Sequence, residues 1–328
     1  MSGNTTTSTN TIVAGIRAEF ADTYTRSYQG VQERMQSIAE FIPSDKRIEN
    51  YAFYESAPHW SIWNDGEEIR SKSFKDATFS VRNRSWGIRT EWNRDDRRDD
   101  LTKSLLPRVK DVAQSGPLVH ERVIFQMMTG ATDTDLLPSI PNAADGSALY
   151  SSSTRFGASS GNLLTGSGVA SGPAIVTDLF SVFSQFALFQ DTEGQPLWDA
   201  SDLDKGFVVF FKPSNERVFV EAVHQTIQAY ANSTSNAGVS NVVQAASKKI
   251  TLVPTARITD NDWYVFLREP RRKPFVVQER DPITEKIELF DDSHDSGVLA
   301  TKVEFAQWDA RFGYGIATPY ATVKVDNA

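Results

Sequence analysis

The sequence predicts an α+β protein, and three observations support this prediction. An apolar period typical of helices runs through residues 107–130 and again through 171–189, whereas the chain after residue 206 is dominated by apolar or alternating strands. These elements do not alternate as strand and helix, so a parallel βαβ sheet is not expected. Between residues 50 and 92 the chain is rich in aromatic residues and arginine, which predicts a polar β-hairpin with too few aliphatic residues to form a core alone.

Composition limits the classes of function. The length of 328 residues suggests about two domains or one elaborate domain. With 42 acidic and 34 basic residues the chain as a whole is a poor candidate for tight DNA binding, although it could enclose DNA without gripping it. The absence of cysteine excludes disulfides and thiolate metal sites. No segment has the roughly 20 apolar residues that cross a bilayer, and the N-terminus does not resemble a secretory signal.

The N-terminal segment divides into two parts. Residues 1–12 are mostly Ser, Thr and Asn, and we expect a mobile tail there. Over residues 13–42 apolar side chains recur every three or four positions, which predicts a helix, or an arm that becomes ordered only against a neighbour. These side chains are Ile16, Phe20, Tyr24, Tyr28, Val31, Met35, Ile38 and Phe41.

The polar hairpin carries arginine and tryptophan in alternation. Arg82 and Arg84 precede Trp86, and Arg89 precedes Trp92. Basic and aromatic residues together can bind single-stranded nucleic acid. They can equally pack a hairpin onto an acidic neighbouring subunit, and the marginal stability of a lone hairpin favours this second interpretation.

The segment from residue 93 to residue 130 begins with NRDDRRDD, whose charges alternate in sign. A solvated helix start is the favoured interpretation, and a salt-bridge network between subunits is the alternative. A helix of about twenty residues follows, with Pro107 in its first turn. Pro117, after Gly116, should kink this helix without ending it, and Gly130 should end it.

The second half of the chain alternates loops with strongly patterned elements. Residues 130–172 form an irregular connection of a length that is usually functional, mobile or packed on a partner. Ser171 then caps a buried helix. The apolar strand GFVVFFKP precedes a third helix capped by Ser214, and further strands complete the chain. Gly313 and Gly315 indicate a bend or a close approach of two backbones.

A search for catalytic chemistry finds none. The four histidines have no metal-ligand spacing, and His120 and His224 are expected to be structural. There is no nucleophile elbow, phosphate loop or dinucleotide-binding motif, so we predict no catalytic, cofactor or metal residues and no enzyme. The basic cluster around Arg271 and Arg272 is interpreted as an exposed loop, with a subunit contact or a DNA-facing patch as alternatives.

Six stretches occur in an order that resembles a known family. They are FKDATFSVRNRSWGIRTEWNRDDRRDDLTKSLLP, LVHERVIFQMMTG, the DG step before Tyr150 with GNLLTG, FQDTEGQPL, VVFFKPSNERVFVEAVHQTI, and ITDNDWYVFLREP with FAQWDARFGYG. From about residue 13 to the end the chain resembles the Mu-like phage major head subunits, which have the Hong Kong 97-type capsid fold. One departure is LYSSSTRF, where the family often has Phe-x-x-x-His.

The resemblance implies a division of the chain into the parts of that fold. The expected parts are an N-terminal arm at 1–48, an extended E-loop at 49–92, a peripheral domain with the spine helix and connecting loop at 93–171, an axial domain at 172–265, and C-terminal peripheral-domain strands at 266–328.

The function that the resemblance implies is that of a major capsid protein of a tailed bacteriophage. Copies would assemble into pentamers and hexamers of an icosahedral head that encloses double-stranded DNA, with a portal, a scaffold or protease and decoration proteins as further partners. The protein would be assembled in the host cytoplasm, reside in the virion and contact no membrane. The alternative is the shell of a cellular nanocompartment with the same fold. An α+β hydrolase using a serine, His224 and an aspartate is a more distant rival.

Charged and aromatic side chains of the expected E-loop and its surroundings are the candidate subunit contacts. They are Arg70, Lys72, Lys75, Arg82, Arg84, Trp86, Asp95, Asp96, Arg97, Arg98, Arg271 and Arg272. Gly116 and Pro117 are the candidate flexure. Lys72 or Lys75 could in principle form a crosslink, as in the founding member of the fold, but no residue indicates that chemistry and we expect a noncovalent shell.

Overall fold

A computed structural model describes residues 5–56, 62, 68, 75–93, 95, 105–155, 161–224, 249–281, 287–290 and 301–327. The helices are α1 (Thr5–Met35), α2 (Leu105–Ser115), α3 (Leu118–Thr129), α4 (Gly172–Leu188), α5 (Ala200–Asp204) and α6 (Glu216–His224). The strands are β1 (Ala39–Pro43), β2 (Ile48–Ser56), β3 (Lys75–Arg82), β4 (Arg84–Asn93), β5 (Leu163–Thr165), β6 (Phe207–Phe211), β7 (Ile250–Pro254), β8 (Trp263–Leu267), β9 (Phe275–Asp281), β10 (Ile287–Phe290), β11 (Val303–Ile316) and β12 (Thr322–Asp326). The predicted α+β class is confirmed.

The first sheet has the order β1-β9-β11-β10, and β4 also pairs with β11. Only β1 and β9 are parallel among these pairs. Helix α1 packs its apolar face on this sheet, where the ring of Phe20 stacks on that of Trp308 at 4.8 Å between centroids. Val31 is fully buried in the same core. The three- and four-residue spacing therefore marks a real buried helix face.

The second sheet has the order β5-β12-β8-β6-β7, and its two central strands are buried on both faces. On one face Phe207 and Phe211 pack against α4 and α6, with the rings of Phe211 and Phe219 only 4.1 Å apart. On the other face Val208 and Phe210 join the core of the first sheet. These strands read as continuous apolar runs because each residue, whichever way it points, enters one of two cores.

Strands β2 and β3 form a separate two-stranded antiparallel sheet, called the ribbon below, which shares no strand with the other two sheets. We expected the hairpin to run through residue 92, and this is wrong for its last part. Residues 84–93 leave the ribbon and pair with β11 over ten positions. The physical reason is that the aromatic side chains of β4 cover the core of the first sheet, which gives this strand an apolar partner within its own chain.

The expected boundaries of α1 are also corrected. The helix begins at Thr5, although we expected a mobile tail through residue 12, since each residue added to a formed helix gains a hydrogen bond. It ends at Met35, before Ile38 and Phe41, which we had placed in the helical pattern. Phe41 instead lies in β1, where pairing with β9 continues the sheet.

The long helix is interrupted at the predicted position. Gly116 donates a helical hydrogen bond to the carbonyl of Val112 at 3.0 Å, and then Val119 and His120 donate to residues only three positions back. This tightening follows from Pro117, which has no N–H to donate. The predicted position of the interruption is confirmed, but the helix does not continue through it, since α2 ends at Ser115 and α3 begins at Leu118 with Pro117 as its N-cap. Pro107 lies in the first turn of α2, and Gly130 ends α3 with φ 76°.

Helix α4 is confirmed, with Ser171 at its N-cap and a proline in its first turn. Ser214 differs from its predicted role, since it lies within a short 3₁₀ turn, Pro213–Asn215, and the next helix begins at Glu216. That turn forms because Pro213 sets a helical φ immediately after the strand. The predicted continuation of this helix toward Tyr230 lies outside the described residues.

Candidate intersubunit surface

The base of the ribbon is fastened to the first sheet. The hydroxyl of Tyr51 donates to Oε1 of Gln278 at 2.9 Å, and Nε2 of the same glutamine donates to the carbonyl of Val81 at 3.1 Å. A methyl group added at Gly315 would lie 2.4 Å from Cγ2 of Val81. The predicted close approach at this glycine is confirmed, and the absent side chain is what lets β3 lie against β11.

Large exposed apolar side chains also occur in this region. Among the described residues, five large hydrophobic side chains are exposed, and three of them are Ile48, Ile62 and Ile88, with exposed fractions of 47%, 90% and 44%. Ile48 lies in the ribbon and Ile88 in β4 of the first sheet, so each is a single exposed side chain of a kind that is ordinary on protein surfaces.

A depression of about 510 Å³ lies where the ribbon joins the body, and five arginines line it. Arg82 and Arg84, both predicted as contact residues, flank the junction of β3 and β4. Three further guanidinium groups, those of Arg47, Arg280 and Arg311, were not anticipated from the sequence. Residues so far apart in the chain converge only through strand pairing, so no local pattern could have indicated them.

Trp86 lies on its own chain rather than on a free surface. Its ring stacks on Phe312 at 4.9 Å between centroids, and its Nε1 donates to the Phe312 carbonyl at 3.2 Å. Trp92 donates similarly to the Glu304 carboxylate at 2.9 Å. The tryptophans are therefore held within the first sheet, and the role of Trp86 as a subunit contact remains a prediction for its half-exposed edge.

Two of the remaining predicted contacts have partners within the chain. The carboxylate of Asp95 lies 2.9 Å from Nζ of Lys302. Nη2 of Arg271 lies 3.3 Å from Asp202 and 3.5 Å from Asp199. The pairs made by Asp95 and Asp199 are exposed on both sides, and such pairs contribute little to stability, whereas Asp202 is buried.

The structure describes only some of the other predicted contact residues. Arg272 donates to the carbonyl of Ala52 at 3.4 Å, which links the basic loop to the ribbon. Lys75 begins β3, but its side chain lies outside the described residues. Also outside the described residues are Arg70, Lys72, Asp96, Arg97 and Arg98.

The kink at Gly116 and Pro117 lies beside a buried polar cluster. His120, fully buried three residues later, places Nδ1 2.9 Å from the Tyr314 hydroxyl and Nε2 3.3 Å from the Glu279 carboxylate. Tyr28 hydrogen-bonds the same carboxylate, and burial, followed by the charge of Glu279, raises its pKa. His120 was expected to be a structural histidine, and it is buried with a hydrogen-bond partner at Nδ1, although Nε2 has none among the described residues. The side chain of His224 lies outside the described residues.

The irregular connection is held by buried polar contacts that the sequence did not reveal. Arg155 pairs with Asp145 at 2.7 Å, with side chains only 1% and 4% exposed, and it also donates to the carbonyls of Ala148 and Leu149. Burial lowers the pKa of Arg155, and the charge of Asp145 opposes this shift. This arginine belongs to LYSSSTRF, where the chain departs from the family pattern.

Within the described part of the chain, no cluster of three or more His, Asp or Glu side chains is placed to hold a metal ion. None of the described helices combines the length and the apolarity that crossing a membrane requires.

Comparison with known proteins agrees with the resemblance. Residues 13–137 match the model of the family described as Mu-like prophage major head subunit gpT, a range that contains the first two of the six stretches quoted above. No curated protein matches the chain.

Solved structures agree in fold at low sequence identity. The structure of Mycobacterium phage Patience is 10% identical with a TM-score of 0.54, covering 96% of this chain and 88% of that one. The capsid structure of Cyanophage P-SCSP1u is 12% identical with a TM-score of 0.53, covering 90% and 88%. The mature capsid of bacteriophage PhiM1 is 12% identical with a TM-score of 0.52, covering 90% and 86%.

The family match and the fold thus confirm the recognition made from the sequence. Both the family and the fold are those of structural capsid proteins. Residues 13–137 are similar to the Mu-like major head subunits, and the chain has the Hong Kong 97-type fold of phage capsid proteins.

Proposed function

We propose that this chain is the major capsid protein of a tailed bacteriophage and that its copies assemble into the pentamers and hexamers of an icosahedral head. The observation that carries the proposal is the capsid fold combined with exposed apolar side chains on the ribbon and on the neighbouring strand β4. Ile48 and Ile88 are nearly half exposed on strands whose other contacts lie within the chain. Covering such a surface with a neighbouring copy is favourable in free energy, because it removes apolar area from water.

Each segment of the chain has a proposed role in the shell, and these roles follow the parts expected from the family. The arm at 1–48 and the E-loop at 49–92 reach toward neighbours, the segments 93–171 and 266–328 form the peripheral domain, and residues 172–265 line the centre of each capsomer. Many weak contacts in a closed symmetric lattice make a strong container. The overall charge of -8 suits a wall that encloses DNA without gripping it.

The remaining partners belong to the same proposal. A portal, a scaffold or protease and possible decoration proteins accompany the shell, which is assembled in the host cytoplasm and becomes part of the virion. The shell is held together noncovalently. Packaging of DNA accompanies expansion, and the kink at Gly116 and Pro117 is the proposed flexure.

The test of assembly is electron microscopy of the purified, expressed chain. The expected result is closed particles that elute far ahead of a 36.5 kDa monomer in gel filtration. A stable monomer that forms no particle at any concentration or salt would overturn the proposal. Particles isolated from a lysed host should contain nuclease-protected DNA, whereas an enzyme cargo would point to a nanocompartment.

The flexure is tested by replacing both residues with alanine. We expect assembly with impaired expansion, because a continuous α-helix resists bending at this point. The Cβ added at Gly116 would lie 3.2 Å from the ring of Tyr24, a contact that shifts of a few tenths of an ångström relieve. Normal expansion of the double variant would remove the kink from the mechanism.

A further inference from the structure

The five arginines of the depression have no counterion among the residues that the structure describes. None of the five forms an ion pair with any residue that the structure describes, although most arginines elsewhere do. The five are Arg47, Arg82, Arg84, Arg280 and Arg311. Guanidinium groups remain charged at any physiological pH, so the depression concentrates positive charge on a chain whose net charge is -8.

Backbone hydrogen bonds and packing fix the positions of these arginines. Asn83, 9% exposed, donates from its backbone N–H to the carbonyl of Arg47 at 2.9 Å, and from Nδ2 to Ser44 and Lys46. A Cβ on Gly313 would lie 2.7 Å from the Arg82 carbonyl, so the strands are in close contact there. Because the backbone cannot spread apart, the mutual repulsion of the side chains is relieved by binding an anion.

The partner of this surface is identified by charge and by the apolar residue beside it. Guanidinium forks bind carboxylate and phosphate in a two-point geometry. Ile48, 47% exposed, is paired in register with Arg82, so an apolar side chain borders the depression. A protein surface satisfies both features, whereas a nucleic acid backbone leaves the isoleucine uncovered.

We propose that the depression receives carboxylate side chains from a second copy of this chain, and that this ionic contact fastens the base of each ribbon to its neighbour. The inference rests on the proposed function and deepens it by assigning one contact of the shell. A second copy carries 42 acidic side chains against 34 basic ones, so it offers the arginines more carboxylates than competing cations. The contact joins different surfaces of the two copies, as closed rings require.

The test is zero-length crosslinking of assembled particles. Arg84→Lys and Arg311→Lys each replace an exposed guanidinium by an amine that a carbodiimide couples to a contacting carboxylate. Isotopically light and heavy subunits are mixed in equal amounts before assembly, and crosslinked peptides are identified by mass spectrometry. Arg217→Lys is the matched control, because Arg217 pairs with Glu221 in its own helix at 2.9 Å.

We expect mixed light and heavy pairs at the two introduced amines, making up about half of their crosslinks as random pairing of neighbours requires. The control should give crosslinks within one chain only. Particles that form normally but yield no mixed pair at either position overturn the inference and leave the proposed function standing. A second outcome also overturns the inference: the lysine variants give no mixed pairs, and particles of Arg84→Gln and Arg311→Gln lose bound DNA. The depression would then be assigned to nucleic acid binding. Failure of the unsubstituted chain to form particles refutes the proposed function and the inference together.

Discussion

Replacing Arg155 by methionine should destabilise the subunit strongly, although this residue lies in an irregular connection. The guanidinium is 1% exposed and pairs at 2.7 Å with Asp145, itself 4% exposed. It also donates to two backbone carbonyls. Methionine fills a similar volume but leaves a buried carboxylate without a counterion and two carbonyls without this donor. Breaking such a pair costs about 3–5 kcal/mol.

The size of this loss can be checked by calorimetry on the unassembled subunit. A loss of that size corresponds to a fall in Tm of about 4–7 °C for a chain of this length. The matched control is Arg122→Met, because Arg122 pairs with Asp133 at 3.5 Å with side chains 48% and 40% exposed. Such an exposed pair contributes under about 1 kcal/mol, so its Tm should scarcely change.

A second variant separates the loss of charge pairing from the loss of packing. Adding Asp145→Asn to Arg155→Met removes the uncompensated charge, so part of the lost stability should return. Equal destabilisation by Arg155→Met and Arg122→Met would refute the reasoning. So would a double variant less stable than Arg155→Met alone.

Three further predictions test other fastenings of the fold. Gly315→Ala should cost about 1–3 kcal/mol by overpacking against Val81, as measured by urea unfolding, and Val81→Ala in the same chain should recover part of the loss because the clash is at that side chain. Asn162→Ala should cost about 1–3 kcal/mol, because its Nδ2 lies within 3.1 Å of three buried carbonyl oxygens; an unchanged unfolding midpoint would contradict this. Hydrogen bonding from the Ser201 hydroxyl lowers the pKa of Asp199 from 3.8, so its contribution is present above that value and is lost as pH falls through the folded pKa. The stability of Asp199→Asn should therefore depend less on pH than that of the native chain between about pH 5 and about pH 2, and parallel curves would contradict this.

The strongest elements could be predicted from the sequence because their burial is periodic along the chain. Helix α4 alternates buried and exposed positions at the helical period, and β6 is apolar throughout since both of its faces meet a core. The kink at Gly116 and Pro117 follows from the missing proline N–H, which is a local property. Glycine at 315 likewise indicated the close approach of two strands before the structure located it.

The predictions from the sequence were wrong where the composition of a segment did not indicate its secondary structure or the strand with which it pairs. Residues 84–93 are as polar and aromatic as the ribbon, yet they pair with β11 because the register places Trp86 on Phe312. Residues 5–12 have the composition of a tail but continue a helix. For residues 84–93 the deciding contacts are with β11, which lies far away in the sequence, whereas residues 5–12 follow the helix because each added residue gains a backbone hydrogen bond.

The sequence by itself indicated the α+β class, most helices and strands, the interruption at Gly116 and Pro117, and, through the order of its motifs, the resemblance to the phage head subunits. Only the tertiary structure brought together five arginines from four separate segments, and only it paired the buried side chains of Arg155 and Asp145. The physical reason is one of range. Hydrophobic periodicity and proline geometry act within a few residues of the chain. The ion-pair partners of a charged side chain are its neighbours in space, and these are known only once the chain has folded.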